Sequence, residues 1–102
     1  MKLYFHPIST VSRPVMLFAA DEGIALDMQL IDLFKGEHRQ ADYLAINPSG
    51  QVPTLEHGDF RLTESSAILK YRAEKNSSRT YPADVRQRAR VNELVDWFNT
   101  GL

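Results

Sequence analysis

The first third of the chain shows two hydrophobic periodicities that predict a strand, a helix and a second strand. Residues 2–5 form a short, aromatic-rich run that His6-Pro7 ends, as expected of a strand. A helix is predicted next, with Pro14 in its first turn and Gly23 at its end. Residues 26–31 then alternate apolar and polar positions, as a second strand does. A βαβ unit of this kind has parallel strands and a right-handed crossover.

The middle of the chain predicts a short helix, a hairpin and a longer helix. The short helix covers residues 41–46 and ends before Asn47-Pro48. The hairpin covers residues 54–62 with its turn at Gly58-Asp59, and the third helix runs from about residue 64 to 75. The order βαβ followed by αββα predicts an α/β domain of the thioredoxin-like type, with a mixed four-stranded sheet between helices.

A polar break at residues 76–80 separates this domain from a final helix. That helix is predicted from Ala83 to about Thr100, and it carries an apolar stripe. The stripe consists of Val91, Leu94, Val95, Phe98 and Leu102. We therefore expect a domain over residues 1–77 and, over residues 78–102, a linker with the first helix of an all-α domain that is otherwise absent. Alternatively, the stripe packs on the chain's own sheet or on a second copy of the chain.

Charge and composition narrow the classes of function. The net charge is -1 at pH 7 and no acidic or basic block is present, which argues against nucleic acid or a membrane surface as a partner. The apolar runs are too short to span a bilayer. His6-Pro7 interrupts the N-terminal run before a signal sequence could form. A cytoplasmic location is therefore expected.

The absence of cysteine excludes several kinds of chemistry. With no cysteine in the chain, a disulfide framework, a redox CxxC pair, a cysteine nucleophile and a thiolate metal site are all excluded. The three histidines, His6, His38 and His57, lack metal-ligand spacing. No metal is therefore expected.

Candidate binding chemistry concentrates where the hairpin meets the third helix. Val52, directly before Pro53, would lie at an exposed strand edge that can pair with an extended peptide. Glu64 and Ser65 lie at the predicted N-terminus of the helix, where free N–H groups bind carboxylates. This combination suits a small, charged, peptide-like ligand. Taken singly, Glu64 is equally a helix-start carboxylate and Ser65 a helix cap.

Two motifs carry a specific resemblance to a known family. The first is NPSGQVPTL at residues 47–55, and the second is TES at residues 63–65. Shorter matching segments are residues 7–9, 13–15, 32–38, 58–60, 62 and 67–68. With these residues, which span nearly the whole length, the chain resembles the N-terminal domain of a cytosolic glutathione transferase, nearest the theta and delta classes that use serine.

The resemblance implies a glutathione site around the two motifs. In that family Pro53 follows a cis peptide bond, and Val52 would pair its N–H and C=O with the cysteinyl backbone of glutathione. Glu64 would bind the γ-glutamyl ammonium. Ser65 would hold the γ-glutamyl carboxylate at the helix N-terminus.

Other positions complete the implied site or depart from the family. His38 and Gln51 would lie near the glycyl carboxylate of glutathione, where the alternative is a solvated loop. Gly50 stands where delta-class enzymes often carry histidine, and Val11-Ser12 where many relatives have Pro-Cys. These departures leave the class open.

Ser9 is the implied catalytic residue. A serine in a loop before a helix is most often a cap. The resemblance implies that its hydroxyl donates a hydrogen bond to the sulfur of glutathione, helped by the positive end of the following helix. Both effects favour the thiolate, which attacks an electrophilic carbon. Thr10 and Ser12 are rival hydroxyls, expected in that order after Ser9.

The function expected from the resemblance is that of a glutathione transferase, or of the glutathione-binding part of one. Glutathione would be the co-substrate and a small electrophile its partner. The alternative is a non-catalytic binding or dimerisation module that reuses the fold. Relatives dimerise through their third and fourth helices, so a homodimer is expected.

Overall fold

The helices and strands follow the predicted order. The computed structural model describes residues 1–100, with side chains as far as residue 97. The elements are β1 (Lys2–Phe5), α1 (Arg13–Asp21), β2 (Asp27–Leu30), α2 (Ala41–Leu44), β3 (Thr54–His57), β4 (Phe60–Thr63), α3 (Ser65–Lys75) and α4 (Val85–Thr100), with a 3-10 turn at Glu37–Arg39 before α2.

The four strands form one mixed sheet in the order β2-β1-β3-β4. β1 and β2 are parallel, whereas β1 with β3 and β3 with β4 are antiparallel. The register aligns a row of apolar residues across the sheet, namely Met28, Leu3, Leu55 and Leu62. The predicted thioredoxin-like α/β fold with a mixed four-stranded sheet is thus confirmed.

Consecutive residues of β1 bury opposite faces of the sheet, because side chains alternate along a strand. Leu3 is fully buried beside Leu55. Tyr4 points to the other face, where it forms a buried cluster with Ile31, Tyr43 and Val52. The second cluster places α2 and the loop before β3 on the Tyr4 face of the sheet.

Helix α1 ends where the sequence predicts. Gly23 has a left-handed backbone with φ +65°. Its N–H donates to the Ala20 carbonyl at 3.3 Å, and the Ile24 N–H donates to the Ala19 carbonyl at 2.8 Å. This pair of bonds satisfies the last carbonyls of the helix, and glycine adopts the required conformation at no steric cost.

The chain divides into two compact units between residues 69 and 70, so the boundary falls within α3. In the second unit, the Asp84 carboxylate accepts the Gln87 N–H at 3.0 Å and caps α4. Arg88 lies over the Tyr81 ring at 4.2 Å.

The apolar stripe of α4 is partly exposed. Leu94 is exposed, and Val91 and Val95 are half-buried. Phe98 and Leu102 lie outside the residues whose side chains the structure describes. No helix within residues 1–100 has the length and hydropathy that crossing a membrane requires.

The burial of Leu55 allows a direct test of the core. Leu55 is 1% exposed, whereas Leu17 on α1 is 69% exposed. Leu55→Ala should lower the free energy of unfolding by about 2–5 kcal/mol, because it removes apolar contacts and leaves a cavity. The same change at Leu17 should alter it by less than about 0.5 kcal/mol. Urea unfolding measures both, and equal losses would contradict the assigned core.

Candidate functional site

The loop before β3 is shaped by the buried side chain of Asn47. Its Oδ1 accepts hydrogen bonds from the Ser49 N–H at 3.1 Å and the Ser49 hydroxyl at 2.8 Å. Its Nδ2 donates to the Gln51 carbonyl at 2.9 Å. The Gly50 N–H returns to the Asn47 carbonyl at 2.9 Å. The Asn47 carbonyl thus closes the turn, and the Asn47 side chain binds Gln51 at the end of it.

Tyr43, from α2, holds the same loop from beneath. Its hydroxyl donates to the Gln51 carbonyl at 2.6 Å and lies 2.8 Å from Oγ1 of Thr54. Burial raises the pKa of the Tyr43 hydroxyl, although its hydrogen bonds to Thr54 and Asn47 oppose that effect. The group therefore keeps its proton, and remains a donor, throughout the neutral pH range.

Gly50 is required by the close approach of two segments. Its φ is +69°, and a Cβ there would lie 3.0 Å from the His38 carbonyl oxygen and 3.3 Å from Cδ2 of Leu44. A side chain at this position would therefore meet both an unfavourable backbone conformation and a backbone atom.

The predicted cis peptide bond between Val52 and Pro53 is confirmed. The expected exposed strand edge at Val52 is wrong, because Val52 lies before β3 and packs in the buried cluster of Tyr4 and Tyr43. Within the described chain, its N–H and C=O take part in no backbone hydrogen bond. Both groups therefore keep an unused capacity for a backbone hydrogen bond within the described chain.

Glu64 begins helix α3 in a conformation that is rare outside glycine. Its φ is +71°, and its carbonyl accepts the first helical bond, from the Ile68 N–H at 3.0 Å. Glu64 therefore occupies the cap position, so the alternative interpretation of Ser65 as the cap is wrong. Ser65 is the first helical residue, where N–H groups have no partner within the helix. Non-glycine residues in such conformations cluster at functional sites.

A cleft brings five of the predicted site residues together. Its walls include Gln51, Val52, Pro53, Glu64 and Ser65, and we refer to it as the Val52 cleft. Its volume is about 70 Å³. A cavity needs roughly 10–15 Å³ on this measure to hold one water molecule, so the cleft has room for a group of a few atoms such as a carboxylate.

His38 lies in an adjoining cavity of about 430 Å³. That cavity also contacts Arg39, and it shares Ser49 and Gln51 with the Val52 cleft. Nδ1 of His38 is buried and forms no hydrogen bond with the described residues. The two cavities therefore adjoin at Ser49 and Gln51, with Glu64 in the lining of one and Arg39 in the lining of the other.

Ser9 does not line the Val52 cleft; Val11, two residues later, does. The Ser9 hydroxyl accepts the Ser12 N–H at 3.1 Å, as a cap does. Ser12 is fully buried, and Thr10 is exposed. Of the three candidate hydroxyls, Ser12 is thus the least accessible to a ligand.

Sequence reasoning missed several residues of this site. Asn47, Ser49, Thr63 and Val11 also line the Val52 cleft. An Asn-Pro pair followed by Ser and Gly is a recognisable turn signal, and it could have indicated Asn47. His6 was also missed: its buried ring accepts the Ile8 N–H at Nδ1, 3.1 Å away, and so supports the loop that carries Ser9.

The described residues offer no evident metal site. No group of three or more His, Asp or Glu side chains among them is arranged to hold an ion.

Comparison with known proteins identifies the family. Residues 1–74 match the family model of the glutathione S-transferase N-terminal domain. The chain belongs to this family. It is 44% identical over 99 residues to human glutathione S-transferase theta-2, covering 95% of this chain and 41% of that protein. It is 40% identical over 104 residues to human glutathione S-transferase theta-1, covering 100% of this chain and 43% of that protein.

Solved glutathione transferases share this fold. The structure of human glutathione transferase theta-2 with glutathione and an unknown ligand has a TM-score of 0.89 and 45% identity, covering 94% of this chain and 40% of that one. A glutathione transferase homologue from Drosophila mojavensis with bound glutathione has a TM-score of 0.91 and 31% identity, covering 96% and 46%. The chain thus spans about two-fifths of the length of its theta-class relatives.

Substitutions at Gly50 and Gly58 distinguish the cost of steric crowding at the site from the cost of backbone strain. Gly58 has φ +64°, and a Cβ added there would have no atom within 4 Å, whereas a Cβ added at Gly50 would be crowded. Gly58→Ala should lower the free energy of unfolding by about 1–2 kcal/mol. Gly50→Ala should lower the free energy of unfolding by more than Gly58→Ala, because the His38 carbonyl must also move. Denaturant unfolding compares them, and equal costs would argue against close packing of the loop.

Proposed function

We propose that this chain is the glutathione-binding part of a glutathione transferase, which joins glutathione to a small electrophile. One observation carries the proposal. The Val52 cleft is lined by Glu64, which carries a carboxylate, by Ser65 at the start of α3, and by Val52, whose N–H makes no backbone hydrogen bond in the described chain. These groups match the ammonium, the carboxylate and the peptide backbone of a γ-glutamyl tripeptide.

The charges of the site suit the two ends of that tripeptide. The Glu64 carboxylate is exposed and would bind the γ-glutamyl ammonium. The Ser65 N–H and hydroxyl would bind the adjacent carboxylate, which the positive end of α3 favours. This end group is small enough for the cleft, so the rest of the tripeptide would lie across its mouth.

The middle and the far end of the tripeptide would follow the loop before β3. Val52 would pair with the cysteinyl backbone, as an added strand does, beside Pro53. The glycyl carboxylate would lie in the adjoining cavity near His38 and Gln51. Arg39, in the same cavity, supports this direction because its guanidinium complements a carboxylate.

Ser9 would stabilise the thiolate of glutathione. Because the Ser9 oxygen accepts the Ser12 N–H, its own proton is free to point elsewhere. A hydrogen bond from that hydroxyl to the sulfur favours the thiolate over the thiol, and the thiol proton goes to solvent when the thiolate forms. The thiolate then forms a bond to an electrophilic carbon, and the leaving group departs with its electron pair.

The remaining expectations belong to the whole protein. We propose a homodimer in the cytoplasm, acting on a small electrophile. The division into a glutathione-binding domain at residues 1–77 and the start of a helical domain at residues 78–102 is likewise a proposal. In such a protein the exposed Leu94 and Trp97 of α4 would meet the partner or the rest of the helical domain.

A non-catalytic binding or dimerisation module that resembles a glutathione transferase is the second candidate. One observation favours it: the Ser9 hydroxyl already serves as a cap and lies outside the lining of the Val52 cleft. A module that keeps the glutathione site differs from the transferase in whether Ser9 acts on the thiol.

Removing the charge of Glu64 tests the glutathione site. Glu64→Gln should weaken glutathione binding at least about tenfold, because the ammonium loses its charged partner. Asp21→Asn removes an equal charge from the far end of α1 and should leave the affinity unchanged. Isothermal titration calorimetry with this chain measures both.

Two outcomes of the titration would contradict the assignment. If Glu64→Gln and Asp21→Asn had equal effects, general electrostatics rather than a contact at Glu64 would account for binding. If the folded parent chain did not bind glutathione, the assigned site would be wrong for this chain.

Ser9 distinguishes the two candidate functions. Ser9→Ala should raise the pKa of the thiol of bound glutathione towards about 8.5, the ordinary value of a free cysteine thiol. Thr10→Ala removes a neighbouring exposed hydroxyl and should leave that pKa unchanged. The ultraviolet absorbance of the thiolate, followed against pH in each complex, gives the pKa. No change in Ser9→Ala would favour the non-catalytic module, and a rise in Thr10→Ala alone would assign the role to Thr10.

A further inference from the structure

The backbone carbonyl of Gln51 is held by two side-chain donors. The Tyr43 hydroxyl donates at 2.6 Å, and Nδ2 of Asn47 donates at 2.9 Å. A carbonyl oxygen has two lone pairs, so both are occupied. The Gln51 residue is itself exposed at the surface. The bonds from Tyr43 and Asn47 therefore fix the backbone of this residue and leave its side chain free.

A third group determines the direction of these hydrogen bonds. Oγ1 of Thr54 lies 2.8 Å from the Tyr43 hydroxyl. The Gln51 carbonyl can only accept, so Tyr43 gives it its single proton and Thr54 donates to Tyr43. Tyr43 is 3% exposed and Thr54 0% exposed. Hydrogen bonds in such a buried chain strengthen one another.

The direction of the Gln51 carbonyl determines the direction of the next N–H. The peptide bond between Gln51 and Val52 is trans. In a planar trans peptide the C=O and N–H groups point in opposite directions. Because the carbonyl points at Tyr43, the Val52 N–H points away from Tyr43. Val52 lines the cleft described above, and its N–H makes no backbone hydrogen bond within the described chain.

We propose that Tyr43 is a positioning residue, whose hydroxyl holds the Gln51–Val52 peptide so that the Val52 N–H is presented to a peptide ligand. The Tyr43 ring contributes separately, because it packs in the same buried cluster as the Val52 side chain. Ring and hydroxyl therefore fix different atoms of one loop. The ligand is the glutathione of the proposed function, on which this inference rests.

A matched pair of variants isolates the hydroxyl. Tyr43→Phe keeps the ring and removes the bond to Gln51. Tyr4→Phe removes a hydroxyl from the same cluster, where the two rings lie 5.9 Å apart, and the Tyr4 hydroxyl makes no hydrogen bond to this loop in the described structure. Unfolding in urea gives the loss of stability in each variant, so that a general weakening of the fold is measured separately.

Two readouts are taken on each variant. Amide resonances from nitrogen-15 NMR of the ligand-free chain report the orientation of the Gln51–Val52 peptide. Tyr43→Phe should move the Val52 amide resonance well beyond its position in the parent and in Tyr4→Phe. Calorimetric titration should show glutathione affinity reduced about two- to tenfold in Tyr43→Phe, as expected for one lost hydrogen bond. Tyr4→Phe should bind as the parent does.

Contrary results would overturn the inference. An unmoved Val52 resonance would show that the hydroxyl does not orient the peptide. A moved Val52 resonance with unchanged glutathione affinity would show that the orientation of the peptide does not affect binding. Equal losses of affinity in Tyr43→Phe and Tyr4→Phe would show the same. If Tyr43→Phe did not fold, Thr54→Val would replace it. We expect smaller changes in the Val52 resonance and in the glutathione affinity of that variant. If neither changed, the inference would be wrong.

The NMR readout also separates this inference from the proposed function. If the parent chain did not bind glutathione, the proposed ligand would be wrong, whereas the Val52 resonance would still decide whether Tyr43 orients the peptide. If the parent bound glutathione and Tyr43→Phe left the Val52 resonance in place, the proposed function would stand and the role of Tyr43 would be wrong.

Discussion

The hydrogen bonds to the Gln51 carbonyl are the interaction on which the candidate site depends. They join α2, through Tyr43, to the loop that enters β3, and Asn47 reinforces them from within the loop. The loop itself has no partner strand along residues 47–53, so these side chains replace the ladder that would otherwise order it. The Gln51 carbonyl therefore points towards Tyr43 and Asn47, and the next residue, Val52, lines the cleft.

The start of α3 supplies the charged part of the site, through the Glu64 side chain and the N–H groups of the first helical turn. Glu64 has the unfavourable φ of +71°, and its carbonyl accepts the first hydrogen bond of the helix, so it is the cap residue. Its carboxylate stays exposed beside the free N–H groups of the first turn. A negative side chain and a positive helix end thus lie side by side, an arrangement that suits a zwitterionic end group carrying both an ammonium and a carboxylate.

In the loop after β1, one serine makes a capping hydrogen bond and has the catalytic role in the proposed function. Ser9 holds the first turn before α1 through the Ser12 N–H, and the buried ring of His6 holds Ile8 beside it. The capping bond uses the oxygen of Ser9 as an acceptor, so it leaves the proton for another partner. A structural role and a role towards a thiol are therefore compatible in this geometry.

The sequence by itself determined the order of the elements, because periodicity, Gly23 and the Gly58-Asp59 turn act locally. It also indicated Val52, Glu64 and Ser65 through a specific pair of motifs. Only the tertiary structure decided that Glu64 rather than Ser65 caps α3, that His38 belongs to an adjoining cavity, and that Tyr43 meets Gln51. The cap depends on the left-handed backbone of Glu64, which its residue type does not favour. The positions of His38 and Tyr43 depend on how the sheet and its flanking segments pack, which no local pattern encodes.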